Sequence, residues 1–405
     1  MNQMVREKYP SHVPAALLWD HDINEYALEL PDPFVSVARL HDGPEIVWAT
    51  GMSRGRPGWL PTTYDAIYAV AMDYQRFGAF EINDVSALLG VSWKLNPHEI
   101  DPPDHIPYRQ ILQPWFQPGA IARLDQALRD MCRRRLDALS GCGTVDFVHD
   151  FARYFPSEVF LTIMGLPLDQ LDQFLEWEAA MIRGPGLEAR AKGAKAIMHY
   201  LEQCVEDRRR NPGDDLLTAV VTGEVRGRPM DHDEIMGMCM LLYGGGLDTV
   251  LSSLGWHMHY LARDPELQAR LRANPADIGK ATNELLRAFA PTQLKRTVMA
   301  DCEFRGVFMK KGDWISLPAF LAARDPAQFT DPHRIDIDRK QRNLTFGVGP
   351  HNCLGIHLAR REVQIVLEEV LARFGNIRLQ PGETVEYHTT AVWGIDRLPI
   401  AWDPL

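Results

Sequence analysis

The amino-acid sequence predicts a mainly α-helical protein with small β-sheets. Apolar residues recur with a helical period at residues 62–72, 105–140, 145–210 and 231–263. Strand-like runs are short, at residues 44–49, 303–308, 314–317 and 387–393. No repeat, low-complexity tract or long linker divides the chain, so we expect residues 1–405 to form a single domain.

The composition is typical of a globular protein from a reducing compartment. Hydrophobic residues make up 46% of the chain and charged residues 24%. A formal net charge of −11 disfavours binding to nucleic acid or to an anionic membrane surface. The six cysteines are scattered without a Cys-x-x-Cys pair, which does not suggest a disulfide framework. These features predict a cytoplasmic protein.

The N-terminal region carries no targeting signal that we can recognise. The first ten residues include no apolar core of a signal peptide, and no stretch reaches the roughly 18–20 apolar residues that span a bilayer. Residues 1–60 are rich in Pro, Asp and Trp, and we expect them to wrap around the surface.

Glycine and proline residues divide the helical region. Pro118-Gly119 marks a break between two helices within residues 105–140. The segments 165–167 and 184–186 separate further helices, and the second of these breaks borders a candidate lid over a binding site.

A long central helix is predicted from Asp231 to about Arg263. Asp231 followed by Glu234 resembles a capping box, and a helix of this length would run for roughly 48 Å. Its middle contains three consecutive glycines, residues 244–246, each of which costs about 0.5–1 kcal/mol relative to alanine. Close helix packing is one explanation. The other, which we favour, is that a ligand needs room there and that the helix opens locally.

A single cysteine follows a glycine-containing loop near the C-terminus. Residues 346–355 read Phe-Gly-Val-Gly-Pro-His-Asn-Cys-Leu-Gly and lead into an apolar helix. Glycine allows backbone angles that other residues avoid, and a helix N-terminus favours thiolate over thiol. The alternatives are an inert cysteine at a helix cap and a dinucleotide-binding loop, but the strand and Gly-x-Gly-x-x-Gly pattern that the latter needs is absent.

The pattern Phe-Gly-x-Gly-x-His-x-Cys-x-Gly resembles the haem-binding loop of the cytochromes P-450 at every position. The resemblance extends over nearly the whole chain and is greatest to the bacterial camphor 5-monooxygenase subfamily, through Gly-Gly-Leu-Asp-Thr-Val and Cys-Leu-Gly-x-His-Leu-Ala-Arg-Arg-Glu. It implies the cytochrome P-450 fold, with haem b sandwiched between a long central helix and the cysteine loop. It also implies a monooxygenase in which Cys353 is the iron ligand.

The resemblance implies catalytic roles for the two residues after the central glycines. Thr249 and Asp248 match the alcohol and acid that deliver protons on the oxygen-binding side of the haem. The alternative for Thr249 is a hydroxyl bonded to the carbonyl four residues earlier in the helix. By position, Arg183 resembles a basic partner of the acid.

The resemblance also implies which residues anchor the haem propionates and support the cysteine loop. The propionate anchors are His105, Arg109, Arg296 and His351. The supporting cluster is Glu284, Arg287 and Arg334, the first two forming the Glu-x-x-Arg pair.

The expected substrate pocket is largely apolar. Its predicted lining is Trp93, Leu241, Gly244, Thr292, Ala391 and Val392. Trp93 stands where the camphor enzyme has a tyrosine that bonds the substrate ketone, and an indole offers only an N–H. We therefore expect a compact terpenoid or norisoprenoid ketone as substrate, although Trp93 could equally be a packed core residue.

No flavin or iron–sulfur motif is present in the chain, so the electrons must come from a partner protein. The resemblance implies that six cations are concentrated around the cysteine loop in the fold, at residues 109, 339, 340, 342, 360 and 361. Such a patch would attract an acidic protein. The expected partners are a [2Fe–2S] ferredoxin and its NAD(P)H-dependent reductase.

Three other functions remain open at this point. A peroxygenase would use hydrogen peroxide directly, but such enzymes usually lack the acid–alcohol pair. A cysteine hydrolase would pair Cys353 with His351 or His357, yet no third partner is evident. A haem carrier or gas sensor would leave Thr249 and the basic patch without a role.

Overall fold

The computed structural model describes residues 9–53, 55–80, 82 and 85–405, apart from the side chains of Arg183 and Pro404. The expected role of Arg183 as a basic partner therefore lies outside the described side chains.

The α-helices carry our own labels in chain order. They are α1 (Ile23–Ala27), α2 (Pro33–Ala38), α3 (Tyr64–Met72), α4 (Val85–Leu89), α5 (His105–Phe116), α6 (Pro118–Leu139), α7 (Phe155–Met164), α8 (Leu171–Arg183), α9 (Gly186–Arg210), α10 (Leu216–Val221), α11 (His232–Gly246), α12 (Asp248–Leu261), α13 (Pro265–Ala273), α14 (Ile278–Ala288), α15 (Ala319–Ala322) and α16 (Ile356–Arg373). Short 3-10 turns lie at Ala15–Leu17, Arg39–Asp42, Leu168–Gln170, Pro275–Asp277 and Gly349–His351, and Val148–Ala152 forms a π-turn.

The strands are short. They are β1 (Leu18–Asp22), β2 (Ile46–Ser53), β3 (Arg56–Pro61), β4 (Phe77–Gly78), β5 (Thr144–Asp146), β6 (Glu224–Val225), β7 (Arg228–Pro229), β8 (Gln293–Val298), β9 (Cys302–Phe304), β10 (Val307–Met309), β11 (Trp314–Pro318), β12 (Phe374–Leu379), β13 (Glu386–Thr389), β14 (Trp393–Arg397) and β15 (Pro399–Pro404).

The chain divides into two compact units, each built from separate stretches of sequence. The first unit comprises residues 1–82, 283–353 and 388–394, and the second comprises 83–282, 354–387 and 395–405. Our expectation of one domain over residues 1–405 stays a prediction.

The first unit is built on a six-stranded sheet in the order β1-β2-β3-β11-β8-β4. Strand β3 pairs in parallel with β11, and β11 pairs antiparallel with β8. We expected residues 1–60 to wrap around the surface, but they supply β1, β2 and most of β3. The expected strands at 44–49, 303–308 and 314–317 are confirmed as β2, the β9–β10 hairpin and β11.

The second unit is mainly helical and contains a three-stranded sheet, β12-β15-β5. The predicted breaks within residues 105–210 are confirmed: Gln117 separates α5 from α6, and residues 165–170 and 184–185 separate α7, α8 and α9. Gly165 takes the left-handed conformation at the end of α7, with φ of 72°, which glycine adopts without strain.

The central helix differs from the predicted continuous rod. It consists of α11 and α12, separated by Leu247 at φ −104° and ψ −69°. The capping box at its start is confirmed, since the Asp231 side chain accepts from the Glu234 N–H and the Glu234 side chain accepts from the Asp231 N–H. Hydrogen bonds from the Arg228 guanidinium, which has the larger effect, and from the Tyr108 hydroxyl lower the pKa of Glu234 to about 2.

The same segment corrects our expectation about membrane-length stretches. The segment His232–Leu261 is long and apolar enough to cross a bilayer by length and composition, and 67% of its apolar 18-residue stretch is buried inside the protein. This burial is what a core helix requires, because its apolar surface is covered by protein.

Candidate active site

The cysteine loop of the first unit is a closely hydrogen-bonded turn. The Cys353 N–H donates to the Phe346 carbonyl at 2.8 Å, and the Asn352 side-chain amide donates to the carbonyls of Phe346 and Gly347. Cys353 is a free thiol of intermediate exposure. The turn therefore holds the backbone of Cys353 and leaves part of its side chain accessible.

The loop glycines are required by the geometry at two positions. Gly347 and Gly349 have φ of 67° and 76°, in the left-handed region that glycine tolerates. A Cβ on Gly349 would also lie 3.0 Å from the Ala71 carbonyl oxygen and 3.2 Å from the Met72 sulfur. The C-terminal end of helix α3 therefore packs against the loop at van der Waals distance.

A buried ion pair lies in the same unit, as the sequence predicted. The Arg287 guanidinium donates to both carboxylate oxygens of Glu284, at 2.8 and 2.7 Å, and the two side chains are 1% and 4% exposed. Arg287 also donates to the carbonyls of Ala323 and Pro332. Helix α14, which carries the pair, is linked to the cysteine loop because the Thr345 hydroxyl donates to the Leu286 carbonyl at 3.0 Å.

The third member of this cluster is Arg339, and our assignment of Arg334 was wrong. The Arg339 Nε donates to Glu284 Oε1 at 3.2 Å, and its side chain is 6% exposed. The Arg334 side chain is exposed, and only its carbonyl takes part, accepting from Arg287 and Arg339. The physical reason is a turn at Asp331, with φ of 49°, after which the Asp336 N–H bonds to Glu284.

Three predicted pocket residues of the first unit lie together. Thr292 forms a β-bridge with Val392, and the Gln293 N–H donates to the Ala391 carbonyl at 3.1 Å. All three residues that were predicted (Thr292, Ala391 and Val392) are of intermediate exposure.

Arg296, a predicted propionate anchor, is 3% exposed on β8. Side chains two residues apart in a strand share a face, so Leu294 lies on the same side of β8 as Arg296. Leu294 is 38% exposed although β8 has a strand on each side. Leu294 was not among the pocket residues that we predicted from the sequence. The signal in the sequence was an apolar residue two positions before Arg296 in the same strand.

In the second unit, the three central glycines have different surroundings. A Cβ on Gly244 or Gly245 would meet no atom within 4 Å, whereas a Cβ on Gly246 would lie 2.9 Å from a ring carbon of Phe160. Close packing therefore explains Gly246, and open space lies beside Gly244 and Gly245. The interpretation that a ligand needs room beside Gly244 and Gly245 stays a prediction.

Thr249 and Asp248 begin α12 directly after the break at Leu247. The Thr249 hydroxyl donates to the Gly245 carbonyl at 3.3 Å, which is the helical back-bond considered as an alternative. Asp248 is 7% exposed. The hydroxyl thus spans the helix break with a long hydrogen bond, beside a buried carboxyl.

The other predicted residues of the second unit lie on different elements. His105, 4% exposed, and Arg109 lie one turn apart on α5 and so share a face. Trp93 is 8% exposed and its carbonyl accepts from the Ser86 hydroxyl at 2.7 Å. Leu241 is of intermediate exposure on α11. Burial of Trp93 is compatible with either of the two roles considered for it.

The expected basic patch contains fewer exposed cations than the sequence suggests. Arg339 is buried with Glu284, and Arg361 is paired with Asp125 and Glu368 in the second unit. Burial lowers the pKa of the half-buried Arg360. Lys340 and Arg342 remain exposed in the first unit.

Each unit, taken by itself, carries groups that suit the chemistry of a thiolate-ligated haem. The first unit offers a partly accessible thiol on a loop that glycine shapes, together with a buried guanidinium suited to a carboxylate. The second unit offers a histidine and an arginine on one helix face and open space beside two glycines. Among the described residues, no group of three or more His, Cys, Asp or Glu side chains could hold a bare metal ion.

Comparison with known proteins places this arrangement among characterised folds. The sequence model of the family described as Cytochrome P-450 matches residues 170–278 and 278–392. "Probable cytochrome P-450 127A1" from Sinorhizobium fredii is 35% identical over 401 residues, covering 97% of this chain and 96% of that protein. "Cytochrome P-450-terp" from a Pseudomonas species is 33% identical and covers 74% of each chain.

Two solved structures are similar to this chain over almost its full length. The crystal structure of CYP101J2 is similar with a TM-score of 0.88 and 30% identity, covering 98% of this chain and 99% of that one. The crystal structure of CYP101C1 has the same TM-score with 31% identity, covering 98% and 100%.

Proposed function

The chain belongs to the cytochrome P-450 family, and on that premise we propose that it hydroxylates an unactivated C–H bond of a small hydrophobic ketone. Family membership makes it a haem b-dependent monooxygenase with the cytochrome P-450 fold. The proposal adds the substrate class, a terpenoid or norisoprenoid ketone, and the source of two electrons, a ferredoxin. A cytoplasmic location goes with the proposal.

The observation that carries the proposal is the presentation of Cys353. Its backbone N–H is bonded within the loop, the loop requires glycine at positive φ, and the sulfur is partly accessible. A cysteine kept for packing would be fully buried, as Cys132 and Cys239 are. The haem, when bound through a thiolate, supplies an iron centre that activates O₂.

The chain's cations would hold the haem carboxylates. We assign this role to His105, Arg109, Arg296 and His351. Arg296 is buried, and a buried guanidinium needs anionic partners or several acceptors. Glu284, Arg287 and Arg339 would stiffen the segment that precedes the cysteine loop, because their bonds tie α14 to residues 330–336.

Asp248 and Thr249 would deliver protons to the oxygen-binding side. A hydroxyl whose hydrogen bond is 3.3 Å long can exchange its acceptor at small cost, and a buried carboxyl beside it can pass a proton on. This pair supports an O₂-dependent monooxygenase over the alternative of a peroxygenase that uses hydrogen peroxide. A non-catalytic haem carrier or gas sensor would have no need of this pair.

The pocket residues support a compact, mostly apolar substrate. Thr292, Ala391 and Val392 line up around one β-bridge, and Gly244 leaves room on the central helix. Trp93 has one N–H that could donate to a ketone oxygen. Leu241 and Leu294 would add aliphatic surface.

The proposed electron donor is a [2Fe–2S] ferredoxin reduced by an NAD(P)H-dependent reductase. The exposed cations Lys340 and Arg342 support an acidic partner.

The first test is the absorption spectrum of the dithionite-reduced protein with and without carbon monoxide. We expect a strongly red-shifted Soret band, lost in Cys353→Ser and retained in the matched variant Cys142→Ser, whose cysteine is exposed. A histidine-type band would contradict thiolate ligation, and absence of haem would reopen the hydrolase alternative.

The substrate class and the oxidant need a second experiment. We expect an ionone-type ketone to convert the iron from low to high spin, and NADH consumption with ferredoxin and reductase to match hydroxylated product. A strong camphor response without an ionone response would refute the substrate proposal. Product formed with hydrogen peroxide at equal rate, and none with the ferredoxin, would favour the peroxygenase.

A further inference from the structure

Helix α11 contains a buried glycine, Gly237, that precedes the three central glycines by two turns. A glycine inside a helix costs about 0.5–1 kcal/mol relative to alanine, so its presence needs an explanation from packing or function. A Cβ at this position would overlap the carbonyl oxygen of Lys94 and lie 3.1 Å from its carbonyl carbon. The absence of a side chain therefore lets the backbone of the loop that carries Trp93 rest directly on the helix.

Gly237 lies on the helix face that carries two of the predicted pocket residues. Leu241 and Gly244 follow it by four and seven residues, which is the spacing of positions that share one face of an α-helix. The contact with Lys94 is about 10 Å along the helix axis from Gly244, beside which there is open space. The loop after Trp93 therefore meets the central helix on its predicted pocket face.

The same loop is held by hydrogen bonds on both sides of Lys94. The Ser86 hydroxyl of α4 donates to the Trp93 carbonyl at 2.7 Å. The Glu99 carboxylate accepts from the Leu95 N–H at 2.9 Å, and the Glu99 N–H donates to the Leu95 carbonyl at 3.0 Å. Trp93 is 8% and Glu99 7% exposed. The backbone at Trp93 is therefore fixed in place, and a change at one attachment of the loop would move this residue.

A methyl group at Gly237 would have to displace this loop. Non-bonded atoms essentially never lie within 3.0 Å of a Cβ, so Lys94 and the helix would have to separate by about 1 Å or more. The obstructing atom is a backbone oxygen, so no side-chain rotation relieves the overlap. Since Lys94 directly follows Trp93 in the chain, the indole would move with it.

We propose that Gly237 is a positioning residue that determines where the Trp93 N–H meets the substrate. The inference rests on the proposed function, in which that N–H donates to a ketone oxygen, and it adds the contact that sets the preference for a ketone. An N–H···O hydrogen bond is about 2.7–3.2 Å long, so a displacement of about 1 Å removes it. Affinity for a ketone therefore depends on the residue at position 237, and affinity for the same carbon skeleton without the ketone depends on it much less.

The test compares two ligands of the haem-loaded protein, an ionone-type ketone and the hydrocarbon of the same skeleton that lacks the ketone. The Kd of each is measured from the change in spin state and, separately, by calorimetry. Gly237→Ala should lower the preference for the ketone, expressed as the ratio of the two Kd values, by about three- to tenfold. The matched control is Gly279→Ala, the same substitution on α14 at a position where a Cβ meets no atom within 4 Å, and it should leave the ratio unchanged.

A double-mutant cycle distinguishes positioning of Trp93 from a general loss of packing. Trp93→Phe removes the N–H and keeps an aromatic ring, so it should lower the same ratio. In that background Gly237→Ala should change the ratio no further, because the hydrogen bond that it disturbs is already absent. Additive changes would overturn the inference. If Gly237→Ala does not bind haem, Ser86→Ala replaces it, since it releases the Trp93 carbonyl without altering the central helix and should lower the ratio in the same direction.

The outcomes separate the inference from the proposed function. A wild type that responds to neither ligand, or that binds both equally well, would defeat the substrate class of the proposed function and the inference with it. A wild type that prefers the ketone, while Gly237→Ala shows the same ratio as Gly279→Ala, would overturn the inference alone. This holds even if Gly237→Ala weakens the binding of both ligands equally, because the glycine would then serve packing and not the N–H of Trp93.

Discussion

Replacing Arg339 by alanine should destabilise the protein far more than replacing Arg334. The Arg339 side chain is 6% exposed and donates to Glu284 at 3.2 Å and to the Thr330 carbonyl at 2.9 Å. The Arg334 side chain is exposed, and the group that joins the cluster is its backbone carbonyl, which every substitution keeps. The two variants therefore distinguish the observed cluster from the one predicted by sequence.

The magnitude follows from the burial of the ion pair. Removing one partner of a buried pair typically costs about 3–5 kcal/mol, because the remaining charge loses its compensation. Glu284 keeps Arg287, so we expect Arg339→Ala to fall near the lower end, about 3 kcal/mol. An exposed side chain without such a role changes stability by no more than about 0.5 kcal/mol, which is our expectation for Arg334→Ala.

The assay is guanidinium-induced unfolding followed by circular dichroism, together with the haem content of each purified variant. Against a typical total of about 5–15 kcal/mol, a loss of about 3 kcal/mol is easily measured. Arg339→Lys keeps the charge without the planar fork and should lie between wild type and alanine. Equal losses for Arg334→Ala and Arg339→Ala, or a larger loss for Arg334→Ala, would refute the reasoning.

Two further predictions concern the second unit. Gly246→Ala should lower the free energy of unfolding by about 1–3 kcal/mol, because its Cβ would lie 2.9 Å from Phe160. Gly245→Ala should raise it by up to about 1 kcal/mol, because its Cβ would meet open space. Equal thermal stabilities of the two variants would contradict this prediction. Burial raises the pKa of Glu362 well above its usual value of 4.5, and its Oε2 has no hydrogen-bond partner in the described part of the chain. Since the folded state holds the proton more tightly, stability should fall as pH rises from 4.5 towards the folded pKa, by about 1.4 kcal/mol per pH unit. Glu362→Gln should lack this fall in urea unfolding, whereas Glu386→Gln, at an exposed position, should retain it; parallel curves for wild type and Glu362→Gln would exclude the explanation.

Features with local signals were predictable from the sequence. The capping box at Asp231 and the helix breaks at residues 117, 165–170 and 184–185 depend on residues within one or two turns of each other. The family was identifiable from the cysteine loop because its glycines, histidine and cysteine are consecutive in the chain.

Features that depend on distant pairing were missed. Strand β3 pairs with β11 through Trp59 and Ile315, which lie far apart in the sequence, and Pro- and Trp-rich residues gave no alternating pattern to predict β1 or β3. The choice between Arg334 and Arg339 likewise depends on the turn at Asp331, which determines the side chain that reaches Glu284. The surroundings of Gly245 and Gly246 differ because Phe160 packs against one of them, and this contact has no signal near the glycines.

The interleaving of the two units has a consequence for biosynthesis. Strand β3 ends at Pro61, and its neighbour β11 begins at Trp314, so the ribosome must add the intervening residues before the sheet can close. At about 5–20 residues per second this delay lasts on the order of ten to fifty seconds. Throughout that interval the nascent β1–β3 segment exposes an unpaired strand edge, which is a site for aggregation or for chaperone capture. Prematurely terminated chains that lack β11 therefore cannot complete the sheet and should be degraded or aggregate.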